Sequence, residues 1–236
     1  MKNIFFIAQR EVKSYFSSPV AYVLIAAFLL VSGFLYILIL NYNREAELGT
    51  LFHNMAIILL LLSPVITMRL IAEERRTGTV ELLLTAPITD IEMIVGKYFG
   101  AVFVYLIMLI LTFHFPLFLF IFGNPDKGPI ISGYLGLFLM GSCFLAVGVF
   151  GSSFARNQIV AAVAGFGMLL ILWLFGATAQ IFSGSIGAIA QYLSIYEHFN
   201  NFTRGIIDTQ DIIFYISFII IALFLAVKVI QNKKWK

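Results

Sequence analysis

The sequence predicts an all-α membrane protein with six transmembrane helices, and three observations carry that prediction. Hydrophobic residues make up 61% of the 236-residue chain and charged residues only 11%, against about 25% charged in soluble domains. The apolar residues are gathered into long charge-free runs, and about 20 such residues let a helix cross the hydrocarbon core. Basic residues are spread unevenly among the segments that join those runs, as they are in inserted membrane proteins. No water-soluble core of this size could bury so much apolar surface, so a bilayer is the solvent the composition fits. The formal net charge of +3 is too small for a nucleic-acid footprint, and no nucleic-acid partner is expected. The single cysteine, Cys143, lies in an apolar stretch and is expected to act as a small buried hydrophobe.

The first element is an amphipathic helix over residues 2–16. Ile4, Phe5, Ala8, Val12, Tyr15 and Phe16 recur on one side, with Lys2, Asn3, Arg10 and Lys13 on the other, while Phe6 and Ile7 interrupt the pattern. That pattern predicts a helix lying in the membrane surface rather than crossing it. A plain basic leader into the first span is the simpler alternative. Charges persist to Lys13 and a long apolar run follows, so no cleavable signal peptide is expected.

The six spans fall at about 20–40, 51–70, 98–122, 131–154, 159–182 and 211–230. The last charge-free run, 212–227, is short, and it suffices if Lys228 snorkels to the interface. With the N-terminus inside, only Arg44, Lys127 and Arg204 of the fifteen basic residues fall in outer loops. Both termini are then cytoplasmic. Gly96 with Gly100, Ala161 with Gly165, and Gly148 with Gly151 mark places where helix backbones approach closely. Pro64 and Pro116 predict kinks in the second and third spans.

One cytoplasmic segment, 71–97, is rich in local signals. Glu73, Glu74, Arg75 and Arg76 end the second span in water. Gly78 permits a sharp turn, and Thr79 is placed to cap a short helix over 80–85, where Leu82, Leu83 and Leu84 adjoin Glu81 and Pro87 follows. Thr89 with Glu92 three residues on forms a capping box for the helix that becomes the third span. Three leucines outside the bilayer need a surface to bury against, either a partner protein or the headgroup layer.

Residues 183–211 are neither a clean loop nor a span. The run 183–187 breaks the fifth helix. Ile189, Leu193, Tyr196, Phe199, Phe202 and Ile206 then recur at steps of three and four. One or two helices at the outer interface, or a re-entrant segment, are predicted.

Two other function classes fit these elements less well. His53, His114 and His198 lie on separate elements, and none belongs to an H-E-x-x-H motif, so no metal site is expected. An intramembrane protease would need Glu73 or Glu74 at the depth of His114, and those acids lie at the cytoplasmic edge. A secondary transporter would place ionisable residues near the midplane, and His114 alone answers that description.

The run Glu73-Glu74-Arg75-Arg76-Thr77-Gly78-Thr79-Val80-Glu81-Leu82-Leu83, with Pro87 and Gly96-Lys97 after it, resembles the signature of ABC-2-type transporter permeases. The leader Arg10-Glu11-Val12-Lys13-Ser14-Tyr15-Phe16 with Ser18-Pro19 is similar to that family's interfacial helix. Leu193-Ser194, His198-Phe199, Phe202, Arg204-Gly205-Ile206-Ile207-Asp208 and Asp211 resemble the segment before its last span. Within the family, the compact size is most similar to the gliding-motility permease GldF and its nitrous-oxide-cluster relative NosY.

The resemblance implies a multi-pass permease of the bacterial inner (plasma) membrane, working in export or as a force transmitter, in gliding motility for example. Its ATPase-coupling interface would be Glu73, Glu74, Arg75, Arg76, Thr77, Gly78, Thr79, Glu81, Leu82, Leu83 and Pro87. Arg10, Glu11, Lys13 and Tyr15 would belong to the interfacial helix. Tyr196, His198, Phe199, Phe202 and Arg204 would form an outer gate. The expected partners are the lipid bilayer, two copies of an ABC ATPase and a second permease subunit, identical or different. No cofactor is expected on this chain. It contains no G-x-x-x-x-G-K-[ST], so ATP and Mg belong to the ATPase subunit and the chain is no enzyme by itself.

Overall fold

In lipid, a long apolar run satisfies its backbone groups by winding into a helix. The computed structural model describes residues 2–43, 47–76, 88–179 and 192–234, and no strand occurs among them. The helices are α1 (Lys2–Phe16), α2 (Pro19–Asn43), α3 (Gly49–Arg76), α4 (Asp90–Leu111), α5 (His114–Phe122), α6 (Lys127–Phe154), α7 (Gln158–Ala179), α8 (Ile195–Thr203) and α9 (Thr209–Lys234). Among the described residues, six stretches are long and apolar enough to cross a membrane: Pro19–Asn41, Gly49–Glu74, Asp90–Phe122, Lys127–Phe154, Gln158–Gly176 and Thr209–Asn232.

α6 is the hub. In its most apolar stretch 72% of the residues are buried, against 22% in that of α7 and 28% in those of α2 and α9, and it packs on α3, α4, α7, α8 and α9. Its small residues explain why. Gly133 receives the Phe52 ring of α3, Gly141 the Tyr105 ring of α4, and Gly148 the Thr67 side chain of α3. At Gly136 a Cβ would lie 2.5 Å from Phe202 Cβ of α8. Gly151 lies against the Gly165 backbone of α7, so close approach at these glycines joins helices within one chain. Ser152 Oγ accepts from the Ile71 and Ala72 amides at 3.3 and 3.2 Å, binding α6 to α3. Buried tyrosines also donate across helices: Tyr105 to Leu137 O at 2.5 Å and Tyr215 to Ile195 O at 2.7 Å.

The third span departs from expectation. Instead of kinking at Pro116, the helix ends at Leu111 and restarts at His114, which puts Pro116 in the first turn of α5. A proline there cannot donate to the carbonyl four residues back, that of Thr112. Phe115 N at 3.0 Å and Tyr134 Oη of α6 at 2.9 Å donate to that carbonyl instead. His114 is exposed on the bundle's outer surface, with Nδ1 2.6 Å from Leu111 O.

Candidate functional site

Two polar assemblies sit at opposite ends of the bundle. The first joins α1, α3 and α4. Gly96 and Gly100 give α4 a surface without side chains, and α1 lies directly on it. A Cβ at Gly96 would fall 2.7 Å from Ile7 Cβ, and one at Gly100 2.7 Å from Glu11 Cβ. Lys97, between those glycines, is 1% exposed. Its Nζ lies 2.8 Å from Glu11 Oε1 of α1 and 2.7 Å from Glu74 Oε1 of α3. Arg10 Nη2 approaches the same Glu74 oxygen at 3.4 Å from the exposed side. Two carboxylates thus meet two cations. A buried charge is tolerated only with such pairing, because desolvating it alone costs several kcal/mol.

The rest of the α1 interface follows the same logic. Asn3 Nδ2 donates to both carboxylate oxygens of Glu92 at 3.2 Å. Glu92 closes the capping box with Thr89 that begins α4. Tyr15 Oη donates to Ile66 O of α3 at 2.5 Å, and the Arg69 guanidinium stacks on its ring at 4.6 Å from the centroid. Burial, with a smaller contribution from the Glu11 carboxylate, pushes the Tyr15 hydroxyl well above the ordinary phenol range, so it stays a neutral donor. Arg69 also reaches Ser14 O at 3.4 Å and Glu73 Oε2, one turn on, at 3.9 Å.

The sequence-predicted coupling residues divide here. Glu74 joins the ionic cluster, Glu73 pairs with Arg69 of its own helix, and Arg75 and Arg76 are the last residues of α3. Thr77, Gly78, Thr79, Glu81, Leu82, Leu83 and Pro87 lie outside the described residues. Of the predicted interfacial set, Glu11 and Tyr15 are turned inward, while Arg10 and Lys13 are exposed. Lys97 was not among the predicted site residues, although the quoted motif included Gly96-Lys97 and Gly100 follows one turn on.

The second assembly is built by α8 at the other end. Ser194 caps α8 by accepting from Glu197 N at 3.3 Å. The helix buries Ile195, His198, Phe199 and Phe202 against the bundle. His198 Nδ1 lies 2.5 Å from Asp211 Oδ1 of α9, and Nε2 lies 2.9 Å from Tyr192 O. Asn201 Nδ2 donates to the other Asp211 oxygen at 2.9 Å. The Phe214 ring stacks on His198 with centroids 3.9 Å apart. Tyr196 leans on Trp173 of α7 and His53 of α3. Burial, then Glu197, pushes its hydroxyl up. Ser132 Oγ of α6 donates to Phe202 O at 2.7 Å. Gly205, at φ 89°, takes the left-handed turn after α8 at no side-chain cost. Of the five residues predicted for an outer gate, Tyr196, His198, Phe199 and Phe202 come together, and Arg204 is exposed at the end of α8.

Among the described residues no group of histidine, cysteine and acidic side chains could hold a metal ion. Both assemblies consist of groups that hold helices together, and at the second Thr203 Oγ1 of α8 also lies 3.4 Å from His53 Nε2 of α3. Residues 40–230 match the sequence model of a family described as ABC-2 family transporter protein, well over half the chain. The chain belongs to the ABC-2 transporter family. It is therefore a membrane permease component of an ABC transporter, a class that works with an ABC ATPase. The match begins inside α2, so α1 precedes the matched stretch. No curated protein matches the sequence.

Proposed function

We propose that this permease couples ATP hydrolysis by a separate ATPase to export, or to mechanical work, across a bacterial inner membrane. The segment 77–87 would dock on the ATPase, and the ionic cluster of Glu11, Glu74 and Lys97 would carry its motion into the bundle. The observation that supports this most is where the cluster lies. Glu74 is near the end of α3 and Lys97 two turns into α4, so both helices that flank 77–87 are bound there to each other and to α1. A load on the segment would shift α1, α3 and α4 as one rigid unit.

The charge distribution supports an orientation with α1 and both termini on the cytoplasmic side. α1 would then lie in the inner leaflet's surface, and α8 would face outward, where its latch to Asp211 suits a gate. The complete assembly would hold two ATPase copies and a second permease subunit, and the GldF and NosY resemblance favours a different chain and a role in motility. Leu83→Asp places a charge on the apolar face that would bury against the ATPase. It is expected to abolish ATPase co-purification and permease-stimulated hydrolysis while leaving the permease folded. Unchanged co-purification and stimulation in this variant would refute the docking role of 77–87.

A further inference from the structure

His198 has an oxygen against each of its ring nitrogens. Nδ1 lies 2.5 Å from Asp211 Oδ1 of α9, and Nε2 lies 2.9 Å from the Tyr192 carbonyl. A backbone carbonyl only accepts, so Nε2 carries a proton in that contact. The Nδ1 contact needs a second proton, shared between the ring and Asp211. Asn201 Nδ2 already donates to the other Asp211 oxygen. Both contacts are therefore hydrogen bonds only while the pair holds two protons, in effect an imidazolium on a carboxylate.

The surroundings supply water and negative charge. A cleft of about 320 Å³ opens on the pair, with Glu197 of α8 and Asp208 of the connection to α9 on its walls and no cation among its lining residues. The Tyr192 ring stands edge-on to His198, and Tyr215 of α9 commits its hydroxyl to Ile195 O. α6 meets α8 through Gly136 and Ser132, and α7 has no charged side chain in its described length. His53 of α3 lies on another flank of α8, against Phe199 and Thr203. Loss of one proton leaves Nδ1–H on Asp211 and turns a bare Nε2 towards the Tyr192 carbonyl. It also leaves Asp211, 3% exposed, as a buried carboxylate with no countercharge, which is costly.

We propose that His198 and Asp211 form a proton-dependent latch seating α8 on α9, closed while the pair holds both protons and loosened as pH rises on its side of the membrane. This deepens the gate reading of α8 and is independent of the docking role of 77–87. Asp211→Asn separates the proton from the acceptor. Its amide nitrogen can donate to Nδ1 of a neutral ring, its oxygen can accept from Asn201, and Nε2–H stays on the Tyr192 carbonyl. The latch is then closed without any charge.

The test reads thiol labelling of the full chain in detergent, without ATPase, from about pH 5 to about pH 9, a range that brackets the imidazole's charge change. Ser132→Cys with Cys143→Ala reports α8, since Ser132 is 1% exposed and covered by Phe202. Cys143 in the parental chain, fully buried in α6, reports opening of the bundle. Each rate is divided by that of the same thiol in the unfolded chain. Labelling at residue 132 is expected to rise roughly 10–100-fold across the range, the effect of losing one hydrogen bond to a charged group, while Cys143 stays constant. With Asp211→Asn added, residue 132 at the alkaline end should stay as slow as it is at the acid end with Asp211 in place. Thr203→Cys, on α8 itself, gives a second reporter should Ser132→Cys not fold. A pH-independent rate at residue 132 with Asp211 in place overturns the latch. So does fast labelling of the Asp211→Asn variant at the alkaline end, which would make Asp211 a plain acceptor. A rise at Cys143 in step with residue 132 also overturns it, by assigning the loosening to the whole bundle.

Discussion

Lys97 shows how much one residue can hold in a bundle made mostly of hydrocarbon. It is almost fully buried, and both of its carboxylate partners come from other helices. Lys97→Met keeps the shape and removes the charge, leaving Glu11 and Glu74 facing each other. Loss of one partner from a buried ion pair costs about 3–5 kcal/mol, so thermal unfolding in detergent is expected to show a large drop. Adding Glu11→Gln to that variant should cost much less than the sum of the single changes, because the two residues share one interaction. Additive losses would mean that the 2.8 Å contact is not formed. At the other end Asp211, 3% exposed, accepts from His198 and Asn201. Asp211→Ala strands both donors, at about 1–3 kcal/mol for each unsatisfied group. His198→Ala should therefore cost little more once Asp211 is gone, as paired melting curves would show.

At the scale of elements, two packing solutions can be tested directly. The seat of α1 on α4 depends on absent side chains. Gly96→Val would drive a branched side chain into Ile7 and the Ile4 carbonyl, which a Cβ alone would meet at 2.7 and 3.0 Å. The expected result is a released α1, read as faster tryptic cleavage at Lys2, Arg10 and Lys13. Cleavage at the parental rate would contradict the seat. At the break in the third span, Tyr134 donates to Thr112 O across to α6. Tyr134→Phe should destabilise by about 1 kcal/mol. In a Pro116→Ala background the same change should cost less, since residue 116 regains an N–H that can donate to the same carbonyl. These elements also mark where sequence pattern stopped being informative. The capping box of Thr89 and Glu92 was legible because both partners are close in sequence. Ile7 looked like a flaw in an amphipathic helix. It is in fact the contact to Gly96, since α1 has one apolar flank for α4 and another turned outward. The span break was misplaced because Pro116 is visible in the sequence, while its compensating hydroxyl lies on another helix.

For the whole molecule, six apolar stretches were legible because a bilayer imposes length and composition on every crossing element. The α6 hub was not, because a central span and a peripheral one carry similar hydropathy, 2.0 for α6 and 2.4 for α7, and differ only in which residues are small. The burial of Lys97 was hidden for a related reason: its partners are 86 and 23 residues away, on helices whose approach no local pattern states. Family membership adds that a chain of this kind is one component of a larger assembly, and on the proposed reading the ionic cluster joining α1, α3 and α4 is where that assembly would act. The measurement that tests this most directly is affinity purification of the chain from its native membrane in mild detergent with an ATP analogue, followed by mass spectrometry of what stays bound. The account predicts an ABC ATPase with a Walker motif, accompanied by a second permease, and loss of the ATPase in the Leu83→Asp variant. Recovery of the chain alone, with no ATPase under any of these conditions, would contradict it.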